Sequence, residues 1–166
     1  MWNSARARLR PYRVQDEIRR RFVTQLAADA ANGRPHVVVS HSMGTVIAYD
    51  CLKRVPDCPA IDGLITIGSP LGLDEVQDKL QPGWSRADGF PGDKLLGAWV
   101  NLFDRLDPVA AFDPFLANDF RAGGADRVED VAVVNDESAW RHSAVLYLQR
   151  AELRRSLGRM LERAGA

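Results

Sequence analysis

Apolar positions recur at helical spacing near the start of the chain. Val14, Ile18, Phe22, Leu26 and Ala30 lie four apart, which predicts a helix over residues 13–31 with a single apolar stripe. Asn32-Gly33 ends it, and Pro35 prevents it from continuing. The period then changes. His36-Val37-Val38-Val39 is a short β-branched run, the form taken by a strand buried on both faces. A second helix is expected from Met43 to Arg54, stopped by Pro56, and a strand over 61–67, closed by Gly68-Ser69-Pro70. Residues 81–93, rich in Gly and Pro, read as loop. Further strands are expected at 98–103 and 128–134. A last helix runs from Ser143 to Ala164, with Leu146, Leu153, Leu157, Met160 and Leu161 spaced for one face.

Strands alternating with helices and long crossovers imply an α/β fold: a mostly parallel sheet of about four strands flanked by helices. Ligands of such sheets bind beyond the carboxyl ends of the strands. Chemistry is therefore to be sought just after Val39, Ile67, Phe103 and Val134.

The first strand runs into Ser40-His41-Ser42-Met43-Gly44 and then directly into a helix. This is the context of a nucleophile elbow, Gly-x-Ser-x-Gly, with Ser40 standing where the first Gly is usual. A tight strand-to-helix turn favours small side chains two residues either side of the nucleophile, and Ser is the next smallest after Gly and Ala. Ser42 is then expected in a strained conformation with its hydroxyl above the sheet, and the Met43 N–H faces any oxyanion formed there. The plainer alternative is that Ser40 and Ser42 only cap the helix.

Two carboxylates follow the third strand. Asp107, directly before Pro108-Val109, is favoured as the partner of a histidine over Asp104, which is expected to pair with Arg105 or to bind its own backbone. His142 lies between the last strand and the last helix, downstream of both, and an imidazole suits the transfer of a serine proton. His41 and His36 read as structural side chains. Ser42, Asp107 and His142 are separated by 65 and 35 residues, in the order Ser–Asp–His, each at the end of a different expected strand.

These residues resemble the α/β-hydrolase superfamily, in the lipase-like branch that includes GPI inositol-deacylase-like proteins. The resemblance rests on Val37 to Thr45, on Ile67-Gly68-Ser69-Pro70-Leu71-Gly72, and on Asp107-Pro108-Val109 with His142, and covers about residues 11–165. It implies a serine esterase with Ser42 as nucleophile, His142 as general base, Asp107 orienting it and Met43 N–H in the oxyanion hole. Ser40, His41 and Gly44 would shape the elbow. The substrate would be an acyl ester, with a lipid as one option and no metal or organic cofactor. An acyltransferase or thioesterase would use the same residues, and a non-catalytic interaction domain is the reading from another class. Family members carry about four strands before the elbow, whereas here the residues before it read as helix without the usual His-Gly loop. The resemblance thus implies a truncated α/β-hydrolase fold, one domain over 1–166, whose open sheet edge an upstream domain or a second copy would cover. Residues 73–97, with Trp84 and Phe90, are expected to form a small lid or an irregular loop.

Composition narrows the remaining classes. With 22 basic and 22 acidic residues the charge balances, unlike the basic excess of a dedicated nucleic-acid binder. The charge is segregated, net +5 over residues 1–21, −6 over 101–137 and +4 over 138–166. Cys51 and Cys58 form neither a disulfide framework nor a metal motif. No apolar run is long enough to span a membrane, and the Arg-rich start lacks the apolar core of a signal peptide, so a cytoplasmic location is expected.

Overall fold

The computed structural model describes residues 4–30, 32–80, 85–136 and 140–165, with side chains from residue 14 onward. It is an α/β protein. Helix α1 (Ser4–Ala30) leads to strand β1 (Val37–His41), helix α2 (Met43–Arg54) and strand β2 (Ile61–Ile67). A short helix α3 (Asp74–Gln77) and two 3-10 turns precede strand β3 (Leu95–Asp104). A small hairpin, β4 (Arg121–Ala122) and β5 (Ala125–Asp126), precedes strand β6 (Val128–Val133), and helices α4 (Ala144–Leu148) and α5 (Ala151–Ala164) complete the order.

Strands β1, β2, β3 and β6 form one parallel sheet in that order, the expected fold class. Because successive side chains on a strand alternate between faces, each inner strand feeds two cores. On one face Leu64 and Trp99 pack with Tyr49 and Leu52 of α2 and Leu26 of α1. On the other, Ile65, Ile67, Val100 and Leu102 pack with Tyr147 of α4 and Leu153 and Met160 of α5. Gly63 faces α5 so closely that a Cβ there would meet Met160 Sδ at 2.6 Å. Tyr49, Trp99 and Phe120 form an aromatic trio with centroids 4.9–5.9 Å apart, each pair adding about 1 kcal/mol beyond simple burial.

A buried polar ladder crosses the middle of the sheet. Trp99 Nε1–H donates to Thr66 Oγ1 at 3.1 Å, Thr66 donates to Asn101 Oδ1 at 3.0 Å, and Asn101 Nδ2–H donates to Pro114 O and Asp130 Oδ1, both at 2.8 Å. Asp130 also accepts from the Leu116 and Ala117 N–H groups. The ladder leaves these polar groups satisfied and pins residues 114–117 to the sheet.

Several elements differ from the sequence expectation. Helix α1 begins at Ser4 rather than residue 13, continues through Pro11, and is about 40 Å long. Only its later apolar residues reach the core: Phe22, Val23 and Leu26 pack there, while Val14 and Ile18 are 60% and 40% exposed. The last helix is broken at Gln149-Arg150, where Arg150 is extended and its Nε–H donates to Leu146 O at 3.0 Å. The hairpin, absent from the expected elements, turns on Gly123 and Gly124, both at positive φ (57° and 77°) as a two-residue hairpin turn requires. In the 73–97 segment Phe90 is buried beside Trp99, and the Tyr49 hydroxyl donates to Gly89 O at 2.7 Å. Trp84 lies outside the described residues.

Among the described residues no helix is long and apolar enough to cross a membrane. Cys51 and Cys58 are free and buried, and burial pushes the Cys51 thiol up to about 12.

Candidate active site

The carboxyl end of a parallel sheet gathers the loops that follow its strands. Here those loops place Ser42 after β1, Gly68 after β2, Asp107 after β3 and His142 after β6, all at that carboxyl end. Ser42 sits between β1 and α2 with φ 55° and ψ −131°, and is the only non-glycine residue at positive φ among the described residues. That conformation costs about 1–3 kcal/mol and persists only where surrounding contacts enforce it. The contacts are on both sides of the turn. Ser42 N–H donates to Ile67 O at 3.1 Å, while Ser42 O accepts from Thr45 N–H at 2.9 Å and Thr45 Oγ1 at 2.7 Å. Thr45 Oγ1 also shares a 2.8 Å hydrogen bond with Ser69 Oγ, tying the elbow to the loop after β2.

The elbow tolerates Ser40 without collision. A Cβ added at Gly44 would lie 4.0 Å from Ser40 Cβ, an ordinary contact, so this turn is less tight than the sequence argument requires. The cost of Ser40 is polar: its Oγ is buried and has no hydrogen-bond partner among the described residues.

A continuous hydrogen-bond chain joins the three candidates. His142 Nε2 is 2.8 Å from Ser42 Oγ, and His142 Nδ1 is 2.9 and 3.0 Å from the two oxygens of Asp107. An ionised carboxylate only accepts, so Nδ1 carries the proton and Nε2 is left to accept from the Ser42 hydroxyl. Asp107 is fully buried. Burial pushes its carboxyl up, but donation from Tyr147, His142 and the Val109 N–H outweighs that and holds it below its ordinary value. Met43 opens α2, where the first backbone N–H groups have no acceptor within the helix.

Asp104 has a different neighbourhood. Its carboxylate pairs with Arg141 at 3.1 Å, not with Arg105, and accepts from the Asn135 N–H at 2.7 Å and the Leu106 N–H at 2.8 Å. Arg105 instead lies over the rings of Phe103 and Phe115. Asp104 therefore holds both its own loop and the loop carrying His142. Of that latter loop, residues 137–139 lie outside the described residues.

His41 has a more direct relation to the site than its position suggested. Its Nε2–H donates to the His142 carbonyl at 2.8 Å, and the two rings lie 4.6 Å apart. His36 precedes β1 at the opposite end of the sheet.

Two further residues were not visible as site residues in the sequence. Tyr147 donates its hydroxyl to Asp107 Oδ2 at 2.7 Å and accepts from the Asp104 N–H at 3.0 Å. Burial and the Asp107 carboxylate push its phenol well above the ordinary value, so it remains a donor. Gly68, at φ 55°, lies under the Asp–His pair: a Cβ there would be 2.9 Å from Asp107 Oδ2 and 3.2 Å from His142 Nδ1. The signal for Gly68 was its Gly-Ser-Pro setting at a strand end; for Tyr147 there was none.

No group of His, Cys, Asp and Glu among the described residues is arranged to hold a metal ion. No family model, curated protein or solved structure matches the chain.

Proposed function

We propose that this chain is a serine hydrolase of the α/β-hydrolase type that cleaves carboxylic acyl esters. The observation that carries this reading is the unbroken path from Ser42 Oγ through the His142 imidazole to the buried Asp107 carboxylate. Ser42 Oγ attacks the ester carbonyl carbon as its proton passes to His142 Nε2. Asp107 holds the imidazole by Nδ1 and stabilises the imidazolium so formed. The Met43 N–H faces the tetrahedral oxyanion. Collapse breaks the carbon–oxygen bond to the alcohol, which leaves with the proton from Nε2. Water then attacks the acyl-enzyme, giving its proton to His142, and the carboxylic acid leaves as Ser42 recovers its hydroxyl.

One oxyanion donor alone forfeits on the order of 10²–10³ in turnover relative to two. Among the described residues no strand pairs with the outer edge of β1, which ends beside Ser42, and Val39 on it is 37% exposed. A strand added to that edge, from an upstream domain or a second copy, would bring backbone N–H groups to the elbow. The same exposed edge favours the second reading, an interaction domain built on a hydrolase-like frame. The two unpaired buried thiols fit a reducing compartment such as the cytoplasm.

Labelling with a fluorophosphonate probe tests the proposal. Labelling that disappears in Ser42→Ala and in His142→Ala supports a hydrolase. A folded chain that takes no label, yet retains a binding partner in Ser42→Ala, supports the interaction domain.

A further inference from the structure

An open cavity of about 710 Å³ lies along the outer face of α2, between α1 and α3. Its floor is Met43, Val46, Ile47 and Asp50, the spacing that puts four residues on one side of a helix. Val14 and Ile18 of α1 form one wall, and Val76 of α3 stands in the other. Val14, Ile18 and Met43 are 60%, 40% and 60% exposed, a run of apolar side chains facing water beside one another. Contiguous apolar exposure of this kind marks a groove that is occupied in use.

Two details identify the occupant. The groove begins at Met43, the residue whose N–H faces the oxyanion in the hydrolase reading and whose neighbour is the nucleophile. The groove thus opens at the first residue of α2, the helix that follows directly from the turn carrying Ser42. At the other end Asp50 is held by Arg19 through two hydrogen bonds of 2.7 and 3.1 Å, so neither charge is left for a ligand. Between these ends the floor runs for about 10 Å of helix axis past the apolar Val46 and Ile47, while the polar lining, Gln15 of α1 with Glu75 and Lys79, stands in the walls. We propose that this groove binds the alkyl chain of the acyl group, selecting esters of medium-length fatty acids. The inference rests on the hydrolase reading for its chemistry but not for its binding.

Two experiments separate the two. p-Nitrophenyl acetate, octanoate and hexadecanoate are compared with the intact chain, Val14→Glu and Val76→Glu. Each methylene that enters the groove adds roughly fourfold to kcat/KM. Octanoate, with six more methylenes, is therefore expected to exceed acetate by up to about 10³-fold, with hexadecanoate declining as its tail meets the Arg19–Asp50 pair. Either glutamate is expected to lower the octanoate-to-acetate ratio by about tenfold. Val14 is exposed, so its variant keeps the test valid if Val76→Glu does not fold. Separately, dodecanoate is titrated calorimetrically onto Ser42→Ala with and without Val14→Glu.

Binding that Val14→Glu removes supports the groove even where no ester is cleaved, which would sink only the hydrolase reading. Ester cleavage with no length preference and no dodecanoate binding overturns the groove alone. Absence of both overturns both. If the chain sediments as a dimer that Val14→Glu dissociates while the length preference stays unchanged, the groove is a contact between copies and the proposal fails.

Discussion

Tyr147 and Asp107, 40 residues apart, share a 2.7 Å hydrogen bond in which the phenol donates to the carboxylate oxygen that also faces His142. The carboxylate is thus held from three directions: by an imidazole, by a phenol and by the Val109 N–H of its own loop at 2.8 Å. Its orientation is set by the core of the protein as well as by its own loop.

Tyr147→Phe tests this arrangement through pH. In the folded protein Asp107 lies below its ordinary value, so its contribution to stability is complete above the unfolded carboxylate pKa, about 3.9. That contribution is lost as pH falls through the lower folded value. Removing the phenol raises the folded value toward the ordinary one. Urea unfolding is expected to show the variant less stable by about 1–2 kcal/mol at neutral pH. The gap should narrow once pH falls below the carboxylate range, and a gap independent of pH would show that the phenol acts only by packing.

Gly68→Ala is expected to disturb the Asp–His pair directly. The positive φ strains any Cβ, and this one would press on Asp107 Oδ2. A loss of about 2 kcal/mol or more is expected in thermal unfolding. Fluorophosphonate labelling should slow as well, whereas the same substitution at Gly123, also at positive φ but with open space around it, should leave labelling unchanged.

Substitutions of Ser42 separate strain from chemistry. Alanine and glycine both remove the hydroxyl and both should abolish labelling. Glycine alone relieves the positive φ, so Ser42→Gly is expected to be more stable than Ser42→Ala by about 1 kcal/mol in urea unfolding. Equal stabilities would mean the elbow relaxes without the serine.

Ser40→Ala removes a buried hydroxyl that has no partner among the described residues. It is expected to stabilise the protein by about 1 kcal/mol, measured by urea unfolding. A loss of similar size would place a bound water on that oxygen.

That Ser42, Asp107 and His142 come together was legible because each stands at the end of a strand whose apolar pattern is strong. Asp107 was separated from Asp104 by its Pro-Val context, and the structure gives each a different partner. Of the two roles expected for Asp104, binding its own loop backbone holds through the Leu106 N–H, whereas pairing with Arg105 does not, because adjacent residues on a loop need not face one another: Arg105 turns to two aromatic rings, and Arg141 arrives from 37 residues away. Tyr147 could not be read at all, since its role depends on a contact between two loops and a helix that no local pattern encodes. The start of α1 was missed for a related reason. Apolar periodicity reports a face that packs, and α1 reaches the core only through its later residues. The break at Arg150 carries no Gly or Pro, and a side chain bonding to the preceding turn is silent in a hydropathy pattern.

The hydrogen bond from His41 to the His142 carbonyl joins positions 101 residues apart. Between them run three parallel strand pairings, none closed by a hairpin. Contacts of such long range slow folding, because chain entropy is lost before they form. Assembly of this site is therefore a late event, and a polypeptide that has gained its helices on refolding still lacks the hydrogen-bonded chain from Ser42 through His142 to Asp107. Recovery of labelling would then trail recovery of helix signal, making the site a clock for completion of the whole sheet.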